Sequence, residues 1–418
     1  MNDIKKILTD RFGRYVKIDT TAVDGAKSLP SSNGQHILAD LLTAELNELG
    51  YYTNVHKDST STVFATLQAT QADAPSIGFI VHLDTAPGTS GKTQLQTHKN
   101  YSGGNILLNK ELNVWLKVSD FPELENYIGD DILTSDGMSL LGADDKAAIA
   151  EVLTGIDLIK QNGIPHGQIQ LVFVPDEEIG LKGAKALDIN QFKVDFAYAL
   201  DCCGIGEYVI ENWNAGCATV KFKGQTAHPM SAKGKMRNAL IMAHQLINKL
   251  PAQERPENSE KKEGYFWVKN LTGDTAHAEM IIDIREFDDD KYIERKQFLE
   301  ECVESINKSY QAEFVELEIS DVYPNIAKTI TSEPRLINLI TKAMANLNIT
   351  PKALNMRGGF DGAAIADKGI PCGNFFTGAH NFHSIYEFLP MNSMVAATKV
   401  VYEILKLAAE HDINNNQD

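Results

Sequence analysis

Residues 168–174 read QIQLVFV, an apolar run too short for a helix and suited to an inner β-strand, and it ends in Pro175 and three acids, Asp176, Glu177 and Glu178. Strand patterns of this kind alternate with helix patterns through the first half of the chain. Leu38, Leu41, Leu42, Leu46 and Leu49 make a helical stripe over 36–49. Strands are expected at 62–68, 76–83 and 196–200, and a helix after Gly142 with Ile149, Val152, Leu153, Ile156 and Ile159 on its inner face. This alternation predicts an α/β sheet with helices on both faces. In such sheets ligand-handling groups gather beyond the carboxyl ends of the strands.

The middle of the chain has a different rhythm. Strands at 218–223, 265–269, 278–284 and 314–319 and helices at 237–250 and 290–306 follow in the order βαββαβ, which predicts a ferredoxin-like α+β sandwich. Residues 253–264 are polar and turn-prone and are expected to form an exposed loop. A helix at 333–347, a short strand at 371–376 and a final helix at 392–409 return to the first pattern. The expected organisation is a sheet domain of 1–213 and 324–418, interrupted by an inserted domain of 214–323.

Composition narrows the function classes. The 418 residues include 39 basic and 56 acidic side chains, a formal net charge of −17, so there is no excess of cations for binding nucleic acid. No apolar run approaches the roughly 20 residues that span a bilayer. The opening MNDIKKILTDRFGRY lacks the apolar core of a secretory signal, so a cytoplasmic protein without membrane contact is expected. Five cysteines (202, 203, 217, 302 and 372) without a CxxC pair suggest neither a disulfide framework nor a thiolate metal site. Any metal would therefore be held by His, Asp and Glu.

Those residues recur at strand ends. His82 and Asp84 close the 76–83 strand; two apart, they share a face, and Asp84 is placed to orient the imidazole. Asp144 and Asp145 lie between Gly142 and a helix start; helix capping accounts for one of them, and a second invites a cation. Glu177 and Glu178 follow the 168–174 strand, where one could ligate a metal and the other act as a base. Asp201 ends the 196–200 strand, and His380 and His383 follow the last one. Two imidazoles and three carboxylates suit two borderline-hard divalent ions, zinc above all, with cobalt or manganese as alternatives. Three carboxylates and a bridging hydroxide would balance the charge of two such ions.

The segments HLDTAPGTSGK, TSDGMSLLGADDKA, PDEEIG, ALDCCGIGE, GQTAHPMSAKGKMRNA, IREFD, RGGFDGAAIADKGIPCGNFFTG and HNFHSIYEF occur in this order. Together they resemble the peptidase T family of aminotripeptidases, part of the dinuclear zinc peptidases that include carboxypeptidase G and aminoacylase. The resemblance runs from about residue 5 to residue 408. It implies that His82 and Asp201 hold one zinc, Glu178 and His383 the other, and Asp144 bridges them. Asp84 would orient His82, and Glu177 would be the general base. His383 is preferred to His380 because Glu387 follows it by four residues, and Asp144 to Asp145 because it precedes Lys146 by two. The Asp144–Asp145 peptide is a candidate for a cis bond. Asp at 201, rather than Glu, goes with aminopeptidases in this family.

The resemblance also makes the insertion a lid domain and a candidate dimer contact, with His228 reaching the scissile carbonyl and Arg285, Asn325 and Arg357 contacting substrate. Short peptides, mainly tripeptides, are the implied substrates. Phe360, Pro324, Gly88 and the Ala147–Ala148 pair depart from the family pattern without touching the ligands. Two other readings stand beside this one: an amidase or deacylase of N-acyl amino acids, and a non-catalytic metal-binding interaction protein. HExxH, GxSxG and Walker-loop patterns are absent from the sequence.

Overall fold

Fully apolar runs become the middle of a sheet and half-polar ones its margins. In the computed structural model, which describes residues 2–89, 92–202 and 204–410, eight strands run side by side. Across the sheet they are Thr53–Lys57, Val63–Leu67, Ile169–Val174, Ile77–His82, Phe196–Cys202, Cys372–Phe376, Glu207–Asn212 and Lys352–Met356. The four from Ile169–Val174 to Cys372–Phe376 are parallel, and their side chains are almost all buried. Three of the outer pairings in the sheet are antiparallel. Ser90 and Gly91 of the HLDTAPGTSGK segment, Cys203 and the INNNQD tail lie outside the described residues.

Parallel strands point the same way, so their carboxyl ends meet at one margin. His82 lies opposite Val174 in the register, which brings the Asp176–Glu178 turn beside His82. Asp201 emerges one strand further over. The helices Ala143–Gln161 and Asp361–Asp367 both pack on Ile77–His82 and Phe196–Cys202, covering the two faces of these inner strands. The first of them is backed by Met391–Ala409, and a Cβ on Gly155 would lie 2.7 Å from Val401 Cγ1. Each apolar side chain fully buried there, Val401 and Ile404 among them, contributes about 1.5–3 kcal/mol.

The chain divides into two compact units, one comprising residues up to Ile210, Lys328–Leu354 and Phe360 onward, the other Glu211–Ala327 with Asn355–Gly359. The second unit holds a four-stranded antiparallel sheet in the order Tyr265–Gly273, His277–Glu286, Asn214–Lys223, Val315–Tyr323. This is the second–third–first–fourth arrangement of a ferredoxin-like βαββαβ unit. Its helices, Ala239–Lys249 and Asp289–Tyr310, pack on the sheet over Phe222, Met242, Leu246, Met280, Ile282 and Leu299. Both helix starts are capped as their sequences dictate: Asn238 Oδ1 accepts from Leu240 N at 2.9 Å and Asp288 Oδ1 from Lys291 N at 3.0 Å.

The observed strands are often longer than the apolar patterns that announced them. The strand expected at 218–223 begins at Asn214, because Asn214 and Gly216 pair in the ladder without adding to its apolar signal. Residues 253–264 are mainly exposed, with one short turn of helix at Pro256–Asn258.

Candidate metal centre

The site is assembled at the carboxyl ends of buried strands and at a helix start, and carboxylates hold two of these turns. Asp84, fully buried, accepts the amides of Glu177 at 3.0 Å and Glu178 at 3.1 Å, so the segment after one strand is pinned to the segment after its neighbour. The same residue orients His82: its carbonyl lies 3.0 Å and its carboxylate 3.5 Å from His82 Nδ1, which leaves Nε2 facing inward. Asp176 adopts φ +56° at the start of the acidic turn. Its carboxylate accepts from Ser31 N at 2.6 Å and Gln35 Nε2 at 2.7 Å, and its amide donates to Gln35 Oε1 at 3.0 Å. These bonds set the direction in which Glu177 and Glu178 leave the strand.

Gly142 at φ +76° turns the chain into the next helix, and the Asp144–Asp145 peptide is cis. Asp144 and Asp145 have non-helical backbone angles, so both carboxylates turn inward and are buried. Glu387 braces this turn: its carboxylate accepts from Gly142 N at 2.8 Å and Asp144 N at 3.0 Å. The spacing of His383 and Glu387 thus has a physical basis, since one loop delivers an imidazole to Asp144 and a carboxylate to the amide of the same residue.

The turns converge on Asp144. Its Oδ1 lies 3.0 Å from His82 Nε2, and its Oδ2 lies 3.0 Å from His383 Nε2. His383 Nε2 is also 2.9 Å from Glu178 Oε1. Candidate ligand atoms of His82, Asp144 and Asp201 lie within 4.8 Å of one another, as do those of Asp144, Glu178 and His383, and those of His82, Glu177 and Glu178. Two of these triads share Asp144. His380 is elsewhere: its Nε2 is 2.6 Å from the Tyr127 hydroxyl and its ring stacks on Phe388.

So many acids in one buried place are poorly matched to each other. Burial and then the charge of Asp144 push Glu178 up to about 7 and Asp201 well above the ordinary carboxylate range. Burial, with Asp201 and Glu178 adding to it, raises Glu177 in the same way. Asp144 goes the other way: burial would raise it, but hydrogen bonds from His383 and His82 hold it below the ordinary range. Those bonds to Asp144 and Glu178 lift His383 to about 11. An oxygen-and-imidazole donor set with surplus negative charge and a shared central carboxylate fits a pair of divalent cations.

A pH effect follows for protein stripped of metal. Burial lifts Glu387 to about 8, and Asp361 likewise to about 8, beside Glu178 at about 7. With folded values above the ordinary ones, the folded chain holds protons that the unfolded chain has released. The stabilisation is complete below the ordinary carboxylate range and is lost as pH rises through 7 to 8. Chelator-treated protein should therefore melt at a lower temperature at pH 8 than at pH 5.5, and added zinc should remove most of the difference. A melting temperature that rises over this interval would contradict the assignment.

The sequence pattern placed Asp176 in the acidic turn without giving it a role, and did not single out Asp361 or Asn374. Asn374 interrupts the apolar strand Cys372–Phe376; it accepts from Asp201 N at 2.8 Å and returns a bond to Asp201 O at 3.0 Å. A polar residue inside an inner strand is the signal that could have found it. Asp361 is buried at the start of Asp361–Asp367, within the RGGFDG motif.

The remaining candidates belong to the second unit. His228 is exposed, and its Nδ1 accepts from Met230 N at 3.2 Å. Arg285 is engaged with Asp283 at 3.1 Å and with the carbonyls of Gly216 and Ile284. Asn325 bonds to Asn214 and the Phe287 carbonyl. Arg357 lies over the rings of Trp213 and Tyr265 and donates to Ser259 Oγ at 2.9 Å.

Comparison with known proteins bears on this arrangement. The sequence pattern of Peptidase family M20/M25/M40 matches residues 137–407. A peptidase T-like protein of Yersinia pestis is 42% identical over 404 residues, 96% of this chain and 98% of that one. Peptidase T of Caldanaerobacter subterraneus is 42% identical over 403 residues, with the same coverage. Among solved structures, aminopeptidase PepT from Bacillus cereus has the same fold, with a TM-score of 0.77 and 24% identity over 97% of this chain and 99% of that one. A family pattern covering well over half of the chain, and relatives that match it almost from end to end, show that it belongs to peptidase family M20/M25/M40.

Proposed function

We propose that this chain is an aminotripeptidase that releases the N-terminal residue from tripeptides at a dinuclear zinc centre. The observation that carries the reading is the pair of ligand triads, His82–Asp144–Asp201 and Asp144–Glu178–His383, joined through one carboxylate. The names of the relatives support the substrate class.

Bound at these triads, two divalent cations would supply Lewis-acid polarisation of the scissile carbonyl and lower the pKa of water. The chain's own groups do the rest. Asp84 fixes the tautomer of His82 so that Nε2 presents a lone pair. Glu177 is buried and its amide is clamped by Asp84, so its carboxylate is positioned without being one of the five proposed ligands. It takes the proton of the attacking water as the water oxygen bonds to the peptide carbon. It then passes that proton to the departing nitrogen as the C–N bond breaks. The proposal gives His228 the oxyanion and Arg285, Asn325 and Arg357 the substrate backbone and carboxylate, contacts implied by the family resemblance. It extends to the second unit as lid and dimer contact. The proposal also places the protein in the cytoplasm, in keeping with five cysteines that form no CxxC pair.

The test is a substrate panel with zinc-, cobalt- and manganese-loaded protein: free tripeptides, dipeptides, N-acetyl and N-succinyl amino acids. Tripeptides should exceed the acyl amino acids in kcat/KM by at least about 100-fold. Faster cleavage of the acyl amino acids would replace this reading with a deacylase.

A further inference from the structure

Asp361 is a buried acid that the mechanism above does not use. Its residue is 3% exposed, and both carboxylate oxygens lack a hydrogen-bond partner among the described residues. Most buried carboxylates in this protein are tied down: Asp84 by two amides, Asp176 by Ser31 and Gln35, Glu387 by two amides. A buried carboxylate left unpaired costs several kcal/mol, so it calls for a missing partner.

Its placement identifies the partner. The helix Asp361–Asp367 leads into the strand Cys372–Phe376, which runs parallel to Phe196–Cys202. A helix that packs back along its sheet before such a strand begins near the strands' carboxyl ends, where His82 and Asp201 lie. The helix Asp361–Asp367 contacts both Ile77–His82 and Phe196–Cys202, the strands that carry His82 and Asp201 at their carboxyl ends, so the buried Asp361 at its start lies at the margin of the site. Asp361 belongs to none of the ligand triads, and among the described residues no hydrogen bond from Lys185 or any other group reaches its carboxylate.

We propose that Asp361 is a specificity-determining residue that receives the free α-ammonium group of the peptide. The inference rests on the aminopeptidase reading and adds to it the group that requires a free N-terminus. An α-ammonium brings one positive charge and three N–H donors to two buried acceptor oxygens, where such a pair is stronger than in water. An N-acyl substrate has no charge to offer and would leave the carboxylate unpaired.

The test compares wild type with Asp361→Asn and Asp361→Ser on a free tripeptide and on its des-amino analogue, in zinc-loaded protein. Both variants should raise KM for the tripeptide by about 10- to 100-fold with little change in kcat. Both should cleave the des-amino analogue at close to the wild-type rate and keep the wild-type zinc content. Asp361→Asn should melt at or close to the wild-type temperature, because the amide is isosteric and breaks no hydrogen bond found among the described residues. An unchanged tripeptide KM, an equal loss on both substrates, a fall in zinc content or a clear drop in melting temperature would each overturn the proposal. If wild type cleaves acyl amino acids and not tripeptides, the aminopeptidase reading fails, and this inference fails with it. If wild type cleaves tripeptides and the variants do so equally well, only the role of Asp361 falls.

Discussion

Glu177→Gln is expected to lower kcat on tripeptides by about 10²- to 10⁴-fold while leaving the metal content unchanged. The substitution preserves volume and removes only the ability to accept a proton. The clamp from Asp84 survives, because it holds the backbone amide of Glu177 rather than its side chain. Glu177 lies with His82 and Glu178 in a third possible triad, so the same variant also tests whether it is a ligand. A ligand would reveal itself as lost metal, and a base as lost turnover with metal retained. The acidic limb of the pH–rate profile should disappear with the carboxylate. Normal turnover in the variant would move the base to another carboxylate of the site.

How far this site can be read from sequence depends on how local the determining physics is. The strand Ile169–Val174 and its acidic turn are legible because burial on both faces leaves a continuous apolar run. The strand Lys352–Met356 is not, since KALNM at the sheet margin is half exposed and reads as loop. The first helix, Asn2–Tyr15, buries Leu8, Phe12 and Tyr15 at helical spacing, yet it also buries Arg11, paired at 2.8 Å with Glu45 and 2.7 Å with Asp157. Its charged residues mask the apolar stripe. His82, Glu178 and Asp201 each announce themselves by ending an apolar strand. Choosing Asp144 over Asp145 and His383 over His380 needed the family resemblance. The support around them is less legible still. Asp176 depends on Ser31 and Gln35, more than 140 residues earlier, and Asp144 on Glu387, 243 residues later. Bonds of that sequence separation leave no periodic trace.

Asp144→Ala is expected to have the larger effect on the centre as a whole, because this residue belongs to both triads. Losing a residue that only supports a ligand costs about 10- to 100-fold in metal affinity, so loss of the shared ligand should exceed that range. Activity should fall to background at metal concentrations that saturate wild type, and calorimetric titration with zinc should show both sites weakened together. Asp145→Ala is the control from the adjacent position. Asp145 is equally buried, but its Oδ2 accepts the His82 backbone amide at 3.3 Å, and it belongs to none of the candidate triads. It should therefore retain metal. The two variants also differ in the metal-free chain. Asp144 is the second cause, after burial, of the raised values of Glu178 and Asp201, so its removal should bring both back toward the ordinary carboxylate range. The fall in melting temperature between pH 5.5 and 8 should then become shallower in Asp144→Ala. If zinc still binds at one full-affinity site in Asp144→Ala, the two triads are independent and Asp144 is no bridge.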